Sequence, residues 1–484
     1  MRLKDIIKNI EALEIVGNPD IEITTLEQDS RKVVPGSLFV AVRGYQSDGH
    51  AYIGKAVESG AGAVICEETG SPADGVTYIK VANSRKALAL AADAYFGHPS
   101  GQLKLVGITG TNGKTTTVTL LYRLFGALGY KCGLLSTIAN YVGDRRLETE
   151  NTTADPITIN SLMREMVEEG CEFCFMEVSS IGMEQDRVTG LEFRMGIFSN
   201  LTHDHLDYHK TFAEYIRCKK LFFDALPKGA VALINMDDKN GPVMVQNTAA
   251  KIVGYSVRSL ADHTARVMEQ SFDGMLLKLD GTDVWCRLIG RHNAYNLLAI
   301  YAAAVNLGLD REQVLLALSG LESAPGRLEN LPGPRGLCAV VDYAHTPDAL
   351  ENVLTTLREI APERNLVCVF GCGGDRDRSK RPEMAQVAAR LADRVVVTSD
   401  NPRTENPSDI IKEIMTGIGP ADLVKTLVIE DRTQAIRTAI LTAPEQSTIL
   451  VAGKGHEDYQ IIGKEKFPFD EKAIINDTFK IILK

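Results

Sequence analysis

The stretch Leu103-Lys-Leu-Val-Gly-Ile-Thr-Gly-Thr-Asn-Gly-Lys-Thr-Thr-Thr117 reads as a strand, a glycine-rich turn and the start of a helix. Its glycines free backbone N–H groups to converge on phosphate oxygens, while Lys114 can bridge the terminal phosphates and the Thr115 hydroxyl can ligate Mg2+. The strict phosphate-loop spacing requires glycine at position 108, where this chain has Ile108; Gly107, Gly110 and Gly113 supply the glycines instead. The helical run Leu120-Leu-Tyr-Arg-Leu124 continues the pattern. Nucleotide contacts are therefore expected from Gly110, Thr111, Asn112, Gly113, Lys114, Thr115 and Thr116.

Outward from this turn the chain keeps a βα rhythm. Apolar runs at Cys174–Val178, Met195–Ser199 and Ala230–Ile234 follow the loop, separated by helical patterns, and predict a mainly parallel sheet. Before it, Leu38–Val42 and Ala63–Cys66 are strand candidates, and His98-Pro-Ser-Gly101 punctuates the chain. After it, Ser323–Gly336 reads as a linker, followed by strand candidates at Cys338–Val341, Leu366–Phe370, Arg394–Thr398, Thr426–Ile429 and Thr448–Val451. The expectation is an α/β protein of three domains: 1–99, a central ATP-binding domain at 100–329, and a C-terminal Rossmann-like domain at 330–484.

The length of 484 residues agrees, because single cores stop growing near ~250–300 residues. A charged share of 24% and an apolar share of 44% are those of a globular protein. The net charge of −10 argues against general nucleic-acid binding but leaves room for a local anion site. Residues 1–17, with Lys4, Asp5 and Lys8 among apolar neighbours, read as an amphipathic helix and not a signal peptide. No apolar run reaches 18 residues, so no membrane span is expected. Nine scattered cysteines suit reduced thiols in the cytoplasm. The one CxxC, Cys171 to Cys174, has no second pair to complete a zinc site.

Two further stretches carry chemistry. Glu177 ends a strand, on the edge where open α/β sheets bind ligands, though taken alone it could be a helix cap or a surface charge. Asn200-Leu-Thr-His-Asp-His-Leu-Asp-Tyr-His209 holds three histidines, which by themselves fit zinc or a solvated loop.

Taken in order, Gly107-Ile-Thr-Gly-Thr-Asn-Gly-Lys-Thr-Thr116, Glu177-Val-Ser-Ser180 and the Asn200–His209 stretch resemble the Mur ligase and folylpolyglutamate synthase superfamily. The resemblance implies an ATP-dependent amide-forming ligase in which Thr115, Glu177 and His205 hold Mg2+. It also implies that Lys219, ten residues past His209, carries a CO2-derived carbamate that ligates a second Mg2+. Asn293 and Asn296 in Gly290–Asn296 fall where the family places adenine contacts, although Asn293 also suits helix capping. Arg327, Asp342 and His345 fall where the C-terminal domain contributes to ATP binding.

Asp29-Ser-Arg31, Asn151-Thr-Thr-Ala-Asp-Pro156 and Ser179 through Arg187 resemble the Mur ligases that add the third residue of the peptidoglycan stem. This likeness implies that Ser30 contacts the UDP group, and that Thr152, Thr153, Ser179, Gln185, Arg187 and Lys219 contact a UDP-muramoyl-dipeptide. Asp400-Asn-Pro-Arg403 resembles the version of this enzyme that takes meso-diaminopimelate. Arg376, Asp400, Asn401, Arg403, Gly453 and Glu457 are then its pocket, with Glu457 facing the distal ammonium. Lys114, Glu177, His205 and Lys219 are the expected catalytic set, and a monomer is expected. A P-loop kinase or a folylpolyglutamate synthase would share the loop. The kinase needs no amino acid, and the synthase should lack both the UDP-binding domain and Asp400–Arg403.

Overall fold

The computed structural model describes residues 1–44, 47–149, 151–202, 206–209 and 211–483. Three sheets form three domains. In the first, Leu26–Glu27, Leu38–Val40, Ala63–Cys66 and Thr77–Val81 run parallel, and Ala12–Val16 pairs antiparallel to Thr77–Val81 at the edge. Ala63–Cys66 is buried at every position, as a parallel strand covered on both faces should be. The N-terminal expectation is corrected here: only Leu3–Ile6 is helical, and Ala12–Val16 is a strand. The β-branched pair Ile15-Val16 followed by Gly17, at φ 107°, favours an edge strand and a turn over a continued helix.

The central sheet has eleven strands. Its parallel core runs in the spatial order Lys251–Ser256, Val231–Asn235, Phe193–Phe198, Lys104–Thr109, Phe173–Glu177 and Cys132–Leu135. Register aligns Glu177 with Ile108 and Phe198 with Thr109. The phosphate loop, Glu177 and Ser199 therefore leave the sheet at one level on its carboxyl edge.

Both ends of this sheet depart from the parallel expectation. The antiparallel meander His263–Ser271, Gly274–Leu279 and Thr282–Cys286 extends one side, and the hairpin Asn140–Val142 with Arg145–Leu147 the other. The helix Lys114–Ala127 packs its apolar side onto this sheet, together with Arg291–Asn306.

In the C-terminal domain the strands lie in the order Glu329–Pro332, Cys338–Asp342, Thr448–Ala452, Leu366–Phe370, Arg394–Val397 and Thr426–Val428. The first is antiparallel and the other five parallel, with Thr448–Ala452, the last of the five in the chain, inserted between the first two, Cys338–Asp342 and Leu366–Phe370. The hairpin Tyr459–Ile462 with Glu465–Pro468 follows. The linker reading of Ser323–Gly336 is corrected, since Glu329–Pro332 is the edge strand of this sheet. Gly326, at φ 66°, lies so close to the backbone of Gly455 and His456 that an added Cβ would come within 2.2 Å. Among the described residues no helix is long and apolar enough to cross a membrane.

Candidate active site

The phosphate loop is held from both sides. Asn200 accepts from the Asn112 backbone N–H at 2.9 Å and donates to the Asn112 carbonyl at 3.0 Å, and the Ser199 hydroxyl donates to the same carbonyl at 2.7 Å. Gly110 has φ 151°, and a Cβ there would sit 2.0 Å from the Ser199 Oγ, so the turn has room only for glycine. Gly113, at φ 88°, meets the Asn296 Oδ1 in the same way, at 2.5 Å. Asn296 thus packs on the loop, and its Nδ2 donates to the Asn293 Oδ1 at 2.9 Å. Asn293 in turn donates to the Ile289 carbonyl at 2.8 Å, a bond at the N-terminus of its helix.

Oxygen donors and amines converge beneath the loop. Glu177 is fully buried; its Oε2 accepts from the Thr115 hydroxyl at 3.0 Å and its Oε1 from the Thr137 N–H at 2.8 Å. Lys114 Nζ donates to the Gly110 and Thr111 carbonyls at 2.9 and 2.8 Å. Lys219, 1% exposed on the helix Phe212–Asp224, donates to the same Gly110 carbonyl at 2.8 Å. Its neighbour Lys220 points elsewhere, to Asp224 at 2.6 Å. His209 is buried against the Ser180 hydroxyl at 2.8 Å. His205 lies outside the described residues.

The chemistry of this donor set fits a hard cation, which takes carboxylate and hydroxyl oxygens. Thr115 and Glu177 already share a hydrogen bond at the loop's helix start.

Next to Glu177 the sequence-predicted dipeptide contacts form one network. The Thr153 hydroxyl donates to the Glu177 carbonyl at 2.9 Å and accepts from the Ser179 N–H at 3.0 Å. Arg187 donates to the Thr153 carbonyl at 2.5 Å and to the Gln185 Oε1 at 2.8 Å, and Gln185 donates to the Tyr208 hydroxyl at 2.9 Å. Burial pushes the Arg187 guanidinium below its ordinary pKa. Thr152 joins through the Thr137 hydroxyl at 3.1 Å. Ser30 is buried in the N-terminal domain between Asp29 and Arg31, which pair with each other at 2.7 Å.

Between the central and C-terminal domains lies a cavity of about 990 Å³. Leu201, Thr202 and Tyr208 line it from one side, and all six expected amino-acid contacts, from Arg376 to Glu457, from the other. Asp348, also in its wall, accepts from Asn112 of the phosphate loop at 2.8 Å and from Thr202 at 3.3 Å. Arg403, at φ 51°, donates to the Gly374 carbonyl at 2.9 Å, and Arg376 to the Asp375 carbonyl at 3.0 Å. Neither has a carboxylate partner among the described residues. Burial, then the like charge of Arg376, pulls the Arg403 pKa down. Glu405 does not pair with Arg403. It is held by Arg381 and Arg378, at 2.9 and 2.8 Å, with its carboxyl drawn down to about 2 by Arg381. Gly453, at φ 121°, leaves no room for a Cβ, which would stand 2.4 Å from the Asp400 Oδ2.

Arg327 stacks over the Tyr343 ring at 4.7 Å. Asp342 accepts the Leu328 and Ala344 N–H groups at 2.7 and 2.8 Å, and His345 contacts the Tyr343 carbonyl at 2.8 Å. Sequence reasoning missed Asn200, Asp348, Arg381, Arg432 and Lys454. Asn200 stood at the head of the histidine stretch and Lys454 within Ala452–Gln460, a stretch that follows a strand on the binding edge, but nothing in the local pattern marked the other three.

The family model described as "Mur ligase family, catalytic domain" matches residues 22–96, "Mur ligase middle domain" residues 108–304, and "Mur ligase, glutamate ligase domain" residues 326–455. The UDP-N-acetylmuramoyl-L-alanyl-D-glutamate–2,6-diaminopimelate ligase of Bacteroides fragilis is 52% identical over 483 residues, covering 99% of this chain and 100% of that relative. A solved structure of an enzyme of the same name aligns with a TM-score of 0.73 at 31% identity, over 100% of this chain and 99% of the other. MurF ligase from Thermotoga maritima, solved in complex with ADP, shares the fold with a TM-score of 0.63 at 18% identity, over 95% of this chain and 97% of its own.

Proposed function

This chain belongs to the Mur ligase family, and on that footing we propose that it joins 2,6-diaminopimelate to UDP-N-acetylmuramoyl-L-alanyl-D-glutamate in peptidoglycan synthesis, driven by ATP. The observation that carries the choice of amino acid is the pair Arg376 and Arg403. Two guanidiniums that, among the described residues, bond to backbone carbonyls and to no carboxylate face one cavity, and a second carboxylate on the incoming amino acid satisfies both. Glu457, in the lining of the same cavity, takes the distal ammonium, with Asp400, Asn401 and Gly453 completing the wall.

The reaction has two steps. The terminal carboxylate of the dipeptide attacks the γ-phosphate of ATP, giving an acyl phosphate and ADP. The amine of diaminopimelate then attacks the acyl carbon, forming the amide and releasing phosphate and a proton. The backbone N–H groups at the helix start, from Gly113 to Thr116, receive the phosphates with Lys114, while those of Thr111 and Asn112 stay bonded to Asn200 and hold the loop in shape; positioning with electrostatic stabilisation does most of the work in such transfers. Lys114 must leave the Gly110 and Thr111 carbonyls to reach them. Arg187, backed by Gln185 and Thr153, orients the dipeptide, with Thr152 and Ser179 beside it and Ser30 at the UDP end. Asn293, Asn296, Arg327, Asp342 and His345 bind the adenosine portion.

Thr115, Glu177 and His205 would hold Mg2+, which neutralises charge on the transferring phosphoryl group when bound. A carbamate on Lys219 would supply anionic oxygen ligands beside it. The test is phosphate release with UDP-muramoyl-dipeptide and ATP against a panel of amino acids. Diaminopimelate is expected to give the highest rate, and release without any amino acid, or with L-lysine preferred, refutes the reading.

A further inference from the structure

Lys454 is fully buried yet absent from the lining of the cavity, while its neighbours Gly453 and Glu457 line it. Its ammonium donates to the Asn401 Oδ1 at 2.7 Å and to the Tyr459 carbonyl at 2.8 Å. The Asp400 and Glu457 carboxylates stand 3.6 and 3.8 Å away. An ammonium has donors only, so it accepts nothing from a side-chain amide. Asn401 must therefore turn its oxygen toward Lys454, and the Ile461 N–H reinforces that choice by donating to the same oxygen at 2.9 Å. The amide nitrogen is left facing the Glu457 Oε2, to which it donates at 2.8 Å. One buried cation thus fixes the sense of Asn401 and, through it, the direction of Glu457.

We propose that Lys454 is a positioning residue of the amino-acid pocket, which holds Asn401 and Glu457 in the arrangement that receives the ammonium end of the substrate. The inference rests on the reading of this cavity as the diaminopimelate site. Charge supports the geometry. Burial and the neighbouring Asp400 raise the Glu457 pKa, while Lys454, the Asn401 amide and Arg403 oppose the rise. Arg432 lies beyond Gly453, and Tyr343 and Tyr459 pack nearby, each with its hydroxyl pKa raised chiefly by burial. Among the described residues Lys454 is the cation that forms an ion pair with Glu457, at 3.8 Å. Removing it drives the Glu457 pKa further up, and a protonated Glu457 no longer attracts an ammonium.

The test is steady-state kinetics of Lys454→Met and Lys454→Gln across pH 6–9, with diaminopimelate, ATP and the UDP-substrate varied in turn. Lys454→Met should raise the KM for diaminopimelate by about 10-fold or more, the scale of one charge-assisted hydrogen bond. The change in kcat should be no more than a few-fold, and the KM values for ATP and the UDP-substrate should be unchanged. In both variants the diaminopimelate KM should worsen as pH falls, while the wild type stays flatter. Lys454→Gln can still donate to Asn401, so it should keep most of the affinity at high pH, and it carries the test if the methionine variant does not fold.

In a Glu457→Gln background, Lys454→Met should cost little more. Additive losses in that double variant, or a pH-independent rise in all three KM values, overturn the proposal. If the wild type itself releases no phosphate with diaminopimelate, the reading of the cavity falls and this inference with it. A wild type that uses diaminopimelate beside indifferent Lys454 variants sinks the inference alone.

Discussion

Replacing Arg403 with alanine should collapse the enzyme's discrimination between diaminopimelate and L-lysine. The two amino acids share the reacting centre and differ by the distal carboxylate. Arg403 is half-buried, donates to the Gly374 carbonyl, and meets the repulsion of Arg376. A hydrogen bond to a charged group contributes about 1.5–3 kcal/mol. At about 1.4 kcal/mol per tenfold, kcat/KM for diaminopimelate should fall by roughly 10- to 150-fold. The value for L-lysine should move little, because lysine offers Arg403 no carboxylate.

Backbone strain does not confound the comparison. Position 403 sits at φ 51°, but arginine and alanine both carry a Cβ, so the strain is common to both. The hydrogen bonds that anchor the loop, Arg403 N–H to the Ile461 carbonyl at 3.1 Å and Gly463 N–H to the Arg403 carbonyl at 2.8 Å, are also unaffected. Arg376 should leave a residual preference for diaminopimelate. Arg403→Lys keeps the charge but loses the fork, and should fall between. The assay is phosphate release with each amino acid. An alanine variant that discriminates as well as the wild type would refute the assignment of Arg403 as selector.

Lys219→Ala should be nearly inactive, with partial rescue by short-chain carboxylic acids, whereas Lys220→Ala should remain active because that side chain pairs with Asp224 on its own helix; equal losses at the two positions would count against the site. Glu177→Gln should lower turnover by orders of magnitude while circular dichroism stays native, since it removes a charged oxygen beside Thr115. Glu405→Gln should destabilise the C-terminal domain at neutral pH, because Glu405 bridges the buried Arg381 and the Asp375 N–H. Its carboxyl is depressed from 4.5 to about 2, so its contribution is present above pH ~4.5 and lost as pH falls toward 2. Urea unfolding at pH 7 and pH 3 should therefore show the gap between variant and wild type narrowing at the lower pH.

The parallel strands were legible because burial on both faces makes them unbroken apolar runs. Ala63–Cys66 and Leu366–Phe370 stand where those runs place them. The antiparallel additions were not legible. His263–Ser271 is mostly half-buried and polar, and Glu329-Asn-Leu-Pro332 contains a proline that suits only an edge strand. At the site, the loop turn and the carboxyl-edge position of Glu177 follow from local pattern. Lys219 had an unused signal: Tyr215, Lys219 and Phe222 share one helical face, which puts the lysine among aromatic rings. Lys454 lay inside the strand-end stretch Ala452–Gln460, but Arg381 and Arg432 gave none, because a buried cation is recognisable only by the acceptors that long-range folding gathers around it.

The strand order of the C-terminal domain also governs how the protein can be made. Thr448–Ala452 is the last parallel strand to be synthesised, yet it fills the gap between Cys338–Asp342 and Leu366–Phe370. Domains generally fold as units, N-terminal first, as the chain emerges. The first two sheets can close early, but this one waits with two unpaired edges until Thr448–Ala452 has emerged. A ribosome that stalls before Thr448 leaves those edges open to other chains, a template for aggregation. Arg432 deepens the dependence, since it ties the Ala452 carbonyl to Glu471 at 2.8 and 2.7 Å. Stop codons just before Thr448 should thus yield insoluble product, not a nucleotide-binding enzyme that merely lacks its amino-acid pocket.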